Sequence, residues 1–267
     1  MTNYILIDGS YFVFYRYYAL LNWWKLAKKE IPLDKPIENE EFVAKFKKTC
    51  ISKITMLPIV LSIENPIIIV AKDCKRENIW RTDMFPPYKA NRNYKGFQGG
   101  PFFKLAYDSV FKDAGVKYIL KHSSLEADDC IAITAKHLVQ RPCNNITIIT
   151  SDTDYLQLIQ PRIQLVNLKL KPVQTEKNST MNPNKDLFIK IIKGDKSDNI
   201  PKLFNRCGKK KVDYYYQNPE EFLAELEKQN ITQNFERNRK LIDFRFIPPD
   251  LVNEFREDCL SKLYVYE

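Results

Sequence analysis

Histidine is scarce in this chain, with two residues, His122 and His137, among 267. Neither lies near a serine or cysteine motif, which argues against a catalytic triad that depends on histidine. The same scarcity argues against a zinc site built on imidazole. If the chain is an enzyme, we expect metal-bound water or lysine to do its acid–base chemistry.

Redox motifs, a secretory signal and a membrane span are also missing. The six cysteines are scattered without a C-x-x-C pair, so we expect reduced thiols in a cytoplasmic-type compartment. Residues 1–10 lack a basic segment followed by an apolar one, which predicts no secretory signal. The longest apolar stretch, 54–71, is interrupted by Pro58, Glu64 and Pro66, which argues against a transmembrane helix.

The composition is that of a soluble globular protein, with 44% hydrophobic and 28% charged residues. A chain of 267 residues is long enough for one domain with a smaller lobe, and we expect a monomer. Its net charge of +9 indicates a polyanionic partner such as nucleic acid.

Two acidic motifs flank one predicted helix and one predicted strand. Glu-Ala-Asp-Asp at 126–129 opens an apolar helical stretch, and a β-branched run leads into Ser-Asp-Thr-Asp at 151–154. Strand ends in a parallel sheet line the crevice that binds ligands, so both motifs can reach one crevice. Gathered carboxylates repel each other, and oxygen ligands favour Mg²⁺. Taken alone, each motif is equally well explained as a helix cap or an acidic turn.

Further carboxylates follow the same arrangement. Asp8 and Asp73 each follow an apolar run that we predict to be a buried strand, at 4–7 and 66–71. An aspartate that caps the following helix is the alternative explanation for Asp8. The octapeptide Gly-Asp-Lys-Ser-Asp-Asn-Ile-Pro at 194–201 adds two carboxylates three residues apart.

Residues 75–104 are basic, with aromatic residues interleaved and glycine and proline interrupting any regular helix. Such a segment above a strand end is typical of a mobile phosphate-binding excursion, and a solvated loop is the alternative. Its basic residues are Arg76, Arg81, Lys89, Arg92, Lys95 and Lys104, and its aromatic residues include Trp80, Tyr88 and Tyr94.

The C-terminal third is predicted to be helical. Residues 169–183 are polar and poorly patterned, which places a boundary between a larger domain at 1–180 and a lobe at 181–267. Gly208 precedes three lysines at a predicted helix start, a position suited to phosphate. Asn218 before Pro219 predicts a helix N-cap, and Pro248-Pro249 predicts the start of the last helix.

The motifs Glu-Ala-Asp-Asp, Ser-Asp-x-Asp-x-x-Gln-Leu and Gly-Asp-x-Ser-Asp-Asn-Ile-Pro occur here in one order. In that order the chain resembles the 5′-nuclease superfamily, which includes flap endonucleases and the 5′-3′ exonuclease domain of bacterial DNA polymerase I. The resemblance runs from Asp8 to about residue 251. Trp80-Arg81 and the basic residues that follow are most similar to the phage ribonuclease H type of 5′ nuclease, which suggests a phage or viral origin.

The resemblance implies an α/β fold with a PIN-like, mostly parallel central sheet flanked by helices. It also implies a basic arch at about 75–104 and a helical C-terminal lobe that binds duplex DNA. Two Mg²⁺ ions, with Mn²⁺ as a substitute, would lie among two sets of carboxylates. The sets are Asp8, Asp73, Glu126, Asp128 and Asp129 for the first ion, and Asp152, Asp154, Asp195 and Asp198 for the second.

The resemblance also assigns basic residues. Lys89 and Arg92 match the arch pair that contacts the scissile phosphate, and Arg81 matches a position at the base of the arch. We expect nucleic acid to contact Tyr88, Lys95, Lys209, Lys210 and Lys211. The family's glycine-rich hairpin can hold K⁺, but residues 202–208 contain one glycine, so we expect no K⁺ site here.

The expected activity is Mg²⁺-dependent hydrolysis of phosphodiester bonds near the 5′ ends of flap, nicked or RNA-primed duplexes, during replication and repair. Expected partners are branched or nicked DNA, RNA–DNA hybrids and replication proteins such as a clamp or a single-strand-binding protein. A PIN-type ribonuclease and a non-catalytic protein that binds branched DNA are the alternatives. The basic segment and the octapeptide argue against the ribonuclease, and the carboxylate set argues against the binder.

Overall fold

The structure is a computed structural model that describes residues 2–93, 95–175 and 179–264. Tyr94 and residues 176–178, which belong to the predicted arch and lobe boundary, lie outside the described residues. In the described part, a parallel sheet has the strand order β3-β2-β1-β4-β5. The strands are β1 (Thr2–Asp8), β2 (Ile67–Lys72), β3 (Tyr118–Lys121), β4 (Asn144–Ile149) and β5 (Ile163–Val166).

The central strands are buried on both faces. In β1, Tyr4 and Leu6 belong to one hydrophobic cluster, whereas Ile5 and Ile7 belong to a cluster on the opposite face. Burial on both faces explains why the strands are continuous apolar runs rather than alternating ones. The strands predicted at 4–7 and 66–71 are therefore confirmed.

Helices cover both faces of the sheet. The described α-helices are α1 (Gly9–Ala27), α2 (Glu40–Thr55), α3 (Leu57–Val60), α4 (Trp80–Met84), α5 (Gly100–Leu105), α6 (Phe111–Asp113), α7 (Ala127–Leu138), α8 (Pro183–Lys193), α9 (Lys209–Gln217), α10 (Pro219–Lys228), α11 (Thr232–Ile242) and α12 (Pro249–Phe255). Short 3₁₀ segments are Pro36–Glu38, Arg76–Asn78, Thr153–Leu158, Val173–Thr175, Phe244–Phe246 and Ser261–Tyr264, and π turns are Ala106–Val110 and Arg256–Leu260.

The helices on the two faces of the sheet come from different parts of the chain. Helices α1, α2 and α5 pack on one face, while α7 packs on the other. Phe244, Phe255 and Leu260 from the end of the chain join the α7 layer. The C-terminal helices are thus confirmed, and their last segment returns to the sheet; a domain division at residue 180 stays a prediction.

Asparagines lie at the N-termini of two helices, α2 and α10. Asn39 caps α2, because its side chain accepts a hydrogen bond from the Phe42 amide at 2.9 Å. Asn218 is the N-cap residue of α10 and Pro219 is its first residue, as predicted, although the Asn218 side chain makes no capping bond. The side-chain amide nitrogen of Asn218 instead donates to the Tyr214 carbonyl of α9 at 2.8 Å, which joins the two helices.

The basic segment at 75–104 is folded where the structure describes it, in contrast to the mobile excursion that its composition predicts. The Lys89 amide donates to the Asp198 carbonyl at 2.9 Å, and Asn91 donates to the Lys196 carbonyl at 2.7 Å. From the other side, Asn199 donates to the Pro87 carbonyl at 2.8 Å. These bonds hold the segment against the octapeptide. No helix among the described residues combines the length and apolar character that crossing a membrane requires.

Candidate metal centre and nucleic-acid site

A cavity of about 940 Å³ opens at the carboxyl edge of the sheet. The edge collects carboxylates because β1 ends at Asp8, β2 leads into Asp73, and β4 leads into Asp152. Helix α7 adds further acidic side chains from its N-terminus. The carboxylates that line this cavity are Asp8, Asp73, Asp108, Glu126, Asp128 and Asp152.

The start of α7 forms the first carboxylate cluster. Oxygens of Glu126, Asp128 and Asp129 all lie within 4.8 Å of one another. Glu126 and Asp129 also form a capping box, in which each side chain accepts a bond from the other residue's backbone. The helix-capping and metal-binding explanations are therefore both compatible with this motif.

Asp129 accepts hydrogen bonds from two other side chains of the protein. Arg81 holds it with two hydrogen bonds, at 2.8 and 2.7 Å, and the Trp80 indole donates at 2.9 Å. Its side chain is 0% exposed. The structure thus separates Asp129 from the cavity that the other predicted ligands of the first ion line, and Asp129 instead anchors Arg81.

Arg81 itself is 2% exposed and offers no surface to a substrate, in contrast to its predicted contact at the base of the arch. It also donates to Glu126 at 3.0 Å and to the Leu241 carbonyl of α11 at 2.8 Å. The guanidinium is enclosed because it bonds to Asp129 of α7 and to Leu241 of α11. Arg81 therefore links the metal-site helix to the C-terminal helices.

Three carboxylates of the cavity have no basic partner among the described residues. Asp8 accepts from the Tyr11 amide at 2.9 Å and from the Tyr155 hydroxyl at 3.1 Å, and Asp73 accepts from the Ala127 amide at 2.7 Å. Asp128 accepts from the Asp129 amide at 2.8 Å. These bonds orient the carboxylates without neutralising them.

Burial and neighbouring charges shift the pKa values of the carboxylates in the cavity. Burial, together with the charge of Asp73, raises the pKa of Asp8 to about 7. Burial and the charges of Asp129 and Glu126 raise the pKa of Asp128 well above its usual range. Glu126 differs: burial opposes its ionisation, but Lys89 and Arg81 outweigh burial and lower its pKa. The cavity therefore favours a cation beside Asp8 and Asp128.

We predict that the metal-free protein becomes less stable as the pH rises. Asp8 has a pKa of about 7 when folded and one of about 4 when unfolded, so the folded state binds the extra proton. Its contribution to the free energy of unfolding is present below pH 4 and is lost by about pH 7, with an upper limit of about 4 kcal/mol.

Urea unfolding in EDTA at several pH values tests this prediction. Asp8→Asn should remove part of the pH dependence, while the contribution of Asp128 remains in both proteins. Identical pH dependence in the wild type and Asp8→Asn would contradict the assignment.

The second carboxylate cluster lies at the octapeptide, which supplies two of its three members. Oxygens of Asp154, Asp195 and Asp198 lie within 4.8 Å of one another. Gly194 makes the turn possible, because its φ is +63° and a Cβ there would lie 2.3 Å from the Ile200 carbonyl oxygen. The Asp195 amide then donates to Ile200 at 2.9 Å, which directs the Asp195 side chain toward the cluster.

The second cluster contains a basic residue that the sequence did not indicate. Lys190 of α8 forms ion pairs with Asp154 and, at 3.0 Å, with Asp195, and lies 3.9 Å from Asp152. Burial opposes the ionisation of Asp195, but Lys190 and bonds from Ser197 outweigh it and lower the pKa of Asp195 to about 2.

The predicted basic pair spans both clusters. Lys89 forms an ion pair with Glu126 and lies 3.7 Å from Asp198, while Arg92 forms an ion pair with Asp198. Both side chains line the cavity. They are thus positioned to meet a phosphate that enters between the clusters.

Tyr88 also spans the clusters, through its hydroxyl bonds to Glu126 at 3.0 Å and to Asp198 at 3.1 Å. Its side chain is 3% exposed. A buried ring cannot stack on a base, so in this structure Tyr88 orients carboxylates instead of making its predicted contact with nucleic acid. The sequence could not show this, because the partners are 38 and 110 residues away.

The family model for the 5′-3′ exonuclease N-terminal resolvase-like domain matches residues 3–188. The chain belongs to this 5′-3′ exonuclease family. The resemblance predicted from the motifs is therefore confirmed at the level of the family.

Curated relatives of this family member include bacterial 5′-3′ exonucleases. That of Bacillus subtilis is 33% identical over 131 residues, which cover 46% of this chain and 43% of the relative. That of Buchnera aphidicola subsp. Schizaphis graminum is 31% identical over 142 residues, which cover 50% of this chain and 47% of the relative. These alignments thus span less than half of either relative. Because bacterial proteins are prominent, the phage or viral origin stays a prediction.

Solved structures of bacteriophage T5 proteins share the fold of this family member. The T5 D15 protein co-crystallised with metal ions matches with a TM-score of 0.66 and 17% identity, covering 97% of this chain and 98% of that one. A T5 D15 flap endonuclease in a pseudo-enzyme-product complex with DNA and metal ions matches with a TM-score of 0.63 and 18% identity, and the coverage of both chains is the same. The predicted PIN-like α/β fold with a helical lobe is confirmed.

The remaining predicted contacts of this 5′-3′ exonuclease family member lie on the surface. Lys95 is exposed, as are Lys209 and Lys210 in the first turn of α9. Lys211 differs, because its Nζ lies 3.7 Å from Glu225 and 5.3 Å from the centre of the Tyr215 ring. Lys209 and Lys210 are therefore better placed than Lys211 to contact a phosphate backbone.

Aromatic residues form part of the wall of the cavity. Phe14, Phe97, Phe103 and Tyr107 line it, and the Phe14 and Phe97 rings stack with centroids 5.8 Å apart. Phe14 is 46% exposed. Other aromatic residues of α1, including Phe12 and Tyr17, are buried in the core, so α1 has a core-packing face and an exposed aromatic residue at the cavity.

Proposed function

We propose that this protein is a divalent-metal-dependent 5′ nuclease that hydrolyses phosphodiester bonds near the 5′ ends of flap, nicked or RNA-primed duplexes. The observation that carries the proposal is the cavity in which Asp8, Asp73 and Asp128 have no basic partner among the described residues, beside Lys89 and Arg92. Such a cavity suits a cation and a phosphate together. Replication and repair are the processes in which these substrates arise.

The donor set fits Mg²⁺, because every candidate ligand is a carboxylate oxygen. Asp8, Asp73 and Asp128, with Glu126, would hold a first ion, and the carboxylates of the second cluster with Asp152 would hold another. When bound, two such ions supply charge that stabilises the attacking and leaving oxygens of an in-line displacement. Mn²⁺ has similar ligand preferences and is expected to substitute.

The protein's own side chains have distinct tasks in this proposal. Lys89 and Arg92 bind the scissile phosphate and orient it toward the carboxylates. Tyr88 and Arg81 hold Glu126 in position, and the aromatic wall excludes water beside the bound strand. Lys209 and Lys210 bind the duplex backbone away from the cut.

The proposed substrates are branched or nicked DNA and RNA–DNA hybrids, bound by a monomer in the compartment where DNA is replicated. A DNA complex of the T5 flap endonuclease supports DNA as the substrate class. Contacts with a clamp or a single-strand-binding protein remain part of the proposal. We expect no K⁺ requirement, since residues 202–208 contain one glycine.

The deciding experiment is cleavage of 5′-labelled flap, nicked and single-stranded substrates after EDTA treatment, with and without added Mg²⁺. We expect cleavage of the flap and nicked substrates near the 5′ end only when Mg²⁺ is present. Preference for single-stranded RNA would favour a PIN-type ribonuclease. Tight binding to flaps without cleavage in Mg²⁺ or Mn²⁺ would favour a non-catalytic binder.

We predict that Lys89 contributes to the transition state as well as to binding. Lys89→Ala should lower the single-turnover rate at saturating protein by on the order of 10²-fold, because the ammonium stabilises charge that develops on the phosphate. Lys53→Ala is the control, since Lys53 of α2 is exposed and does not line the cavity. Weaker binding with an unchanged saturated rate would show that Lys89 is only a phosphate anchor.

We predict that Lys209 and Lys210 bind phosphates without reading sequence. The double replacement by alanine should make the slope of log affinity against log salt shallower by roughly two units, because each lost phosphate contact changes it by about 0.9. The cleavage position should not move. Lys228→Ala, at the last residue of α10, is a control that should leave the slope unchanged.

A further inference from the structure

The side chain of Lys190 lies inside the second carboxylate cluster. Its Nζ forms an ion pair with Asp154, lies 3.0 Å from Asp195 Oδ2 and lies 3.9 Å from Asp152 Oδ1. The Lys190 side chain is 15% exposed, and those of Asp154 and Asp195 are 12% and 18% exposed. The ammonium is therefore largely enclosed by carboxylate oxygens.

The fold directs Lys190 to this position. Its neighbours Ile191 and Ile192 are buried in two hydrophobic clusters, which fixes the rotation of α8. Helix α8 also packs against the 3₁₀ segment Thr153–Leu158, which carries Asp154. The Gly194 turn then brings Asp195 back over the end of the helix, so the ammonium lies between two elements.

The first cluster has a different arrangement of cations. Arg81 is bound to Asp129 and Glu126, and Lys89 is bound to Glu126. These contacts leave Asp8, Asp73 and Asp128 without a basic partner among the described residues. A divalent ion can reach those oxygens without moving a lysine, whereas in the second cluster it meets an ammonium.

We propose that Lys190 is a tethered cation that occupies the second metal position and has to be displaced before a second divalent ion binds. A divalent ion and the ammonium cannot share Asp154 and Asp195, because like charges at hydrogen-bond distance repel strongly in a partly buried site. The first cluster therefore fills first, and the second ion binds more weakly to the free protein. The inference rests on the proposed function only in treating the two clusters as metal sites.

Removing the ammonium should strengthen binding of the second ion. In Lys190→Met the side chain keeps roughly its length and its apolar contacts but loses the positive charge. The second Mn²⁺ should then bind at least about tenfold more tightly, since a competing cation has been removed. The affinity of the first Mn²⁺ should be unchanged.

The experiment is a titration of the metal-free full chain with Mn²⁺, followed by electron paramagnetic resonance of the free ion and by calorimetry. Lys193→Met is the matched control, because Lys193 lies on the same helix, is exposed, and forms none of the ion pairs of the cluster. It should bind both ions as the wild type does. Lys190→Gln provides a second neutral variant in case the methionine variant does not fold.

An unchanged or weaker second-site affinity in folded Lys190→Met and Lys190→Gln would overturn the proposal. Two equally tight Mn²⁺ sites in the wild type would also overturn it. The readout is binding and does not depend on cleavage. A protein that binds two ions as described but cleaves no flap would refute the proposed nuclease function and leave this inference intact.

Discussion

Replacing Asp128 with asparagine should lower the single-turnover cleavage rate by on the order of 10³-fold, equivalent to about 4 kcal/mol of transition-state stabilisation. Asp128 lines the cavity and has no basic partner among the described residues, so its negative charge is available to a cation. Asparagine keeps the shape and an oxygen but removes that charge. Divalent-ion affinity of the first cluster should fall with the rate.

The same substitution should leave the metal-free protein at least as stable as the wild type. Burial and the charges of Asp129 and Glu126 raise the pKa of Asp128, which shows that its ionised form is disfavoured in the fold. Removing a disfavoured charge does not cost stability. Urea unfolding in EDTA measures this, and single-turnover assays on the flap substrate measure the rate.

Asp129→Asn is the matched control, one residue away in the same motif. Its charge is neutralised by Arg81 through bonds of 2.8 and 2.7 Å. We expect this variant to lose stability first and activity as a consequence. Equal loss of rate in both variants with no loss of stability would show that Asp129 binds metal as Asp128 does.

Replacing Arg81 with methionine should lower the free energy of unfolding by roughly 3–5 kcal/mol, the usual cost of leaving a buried charge without its partner. Arg81 is 2% exposed and bonds to Asp129, Glu126 and the Leu241 carbonyl. Methionine fills much of the volume but provides no donor. Three acceptors then lose a hydrogen bond at a largely buried position.

Arg92→Met provides the comparison for this prediction. Arg92 pairs with Asp198, but its side chain is 38% exposed, so losing the pair should cost about 1 kcal/mol or less. We expect Arg92→Met to bind flap substrates less tightly while unfolding near the wild-type urea concentration. If Arg81→Met is as stable as Arg92→Met, the buried pair does not support the fold.

A double replacement separates the loss of the ion pair from the loss of packing. Arg81→Met with Asp129→Leu removes both charges and should recover part of the stability lost in Arg81→Met. Glu126 would still lack one bond, so recovery should be incomplete. No recovery at all would mean that the packing of the arginine side chain, rather than charge balance, accounts for the loss.

Much of the site could be predicted from local patterns in the chain. An apolar run followed by an aspartate marks Asp8 and Asp73 at the ends of β1 and β2, and the parallel sheet then brings these ends to one edge. The capping-box pattern marks the start of α7 and places Glu126 at that edge. These signals extend over fewer than about ten residues, within the range of backbone periodicity and helix capping.

Tertiary structure alone decided which charged residues are available to a ligand. The sequence presents Asp128 and Asp129 as neighbours, but only Asp129 is enclosed by α4, whose Arg81 is 48 residues away. Tyr88 is buried because its segment packs on the octapeptide, 110 residues away at Asp198. Lys190 reaches Asp154 because α8 packs on the segment that follows β4. Whether a charge is paired, buried or open depends on contacts between distant segments, and no local pattern in the chain encodes those contacts.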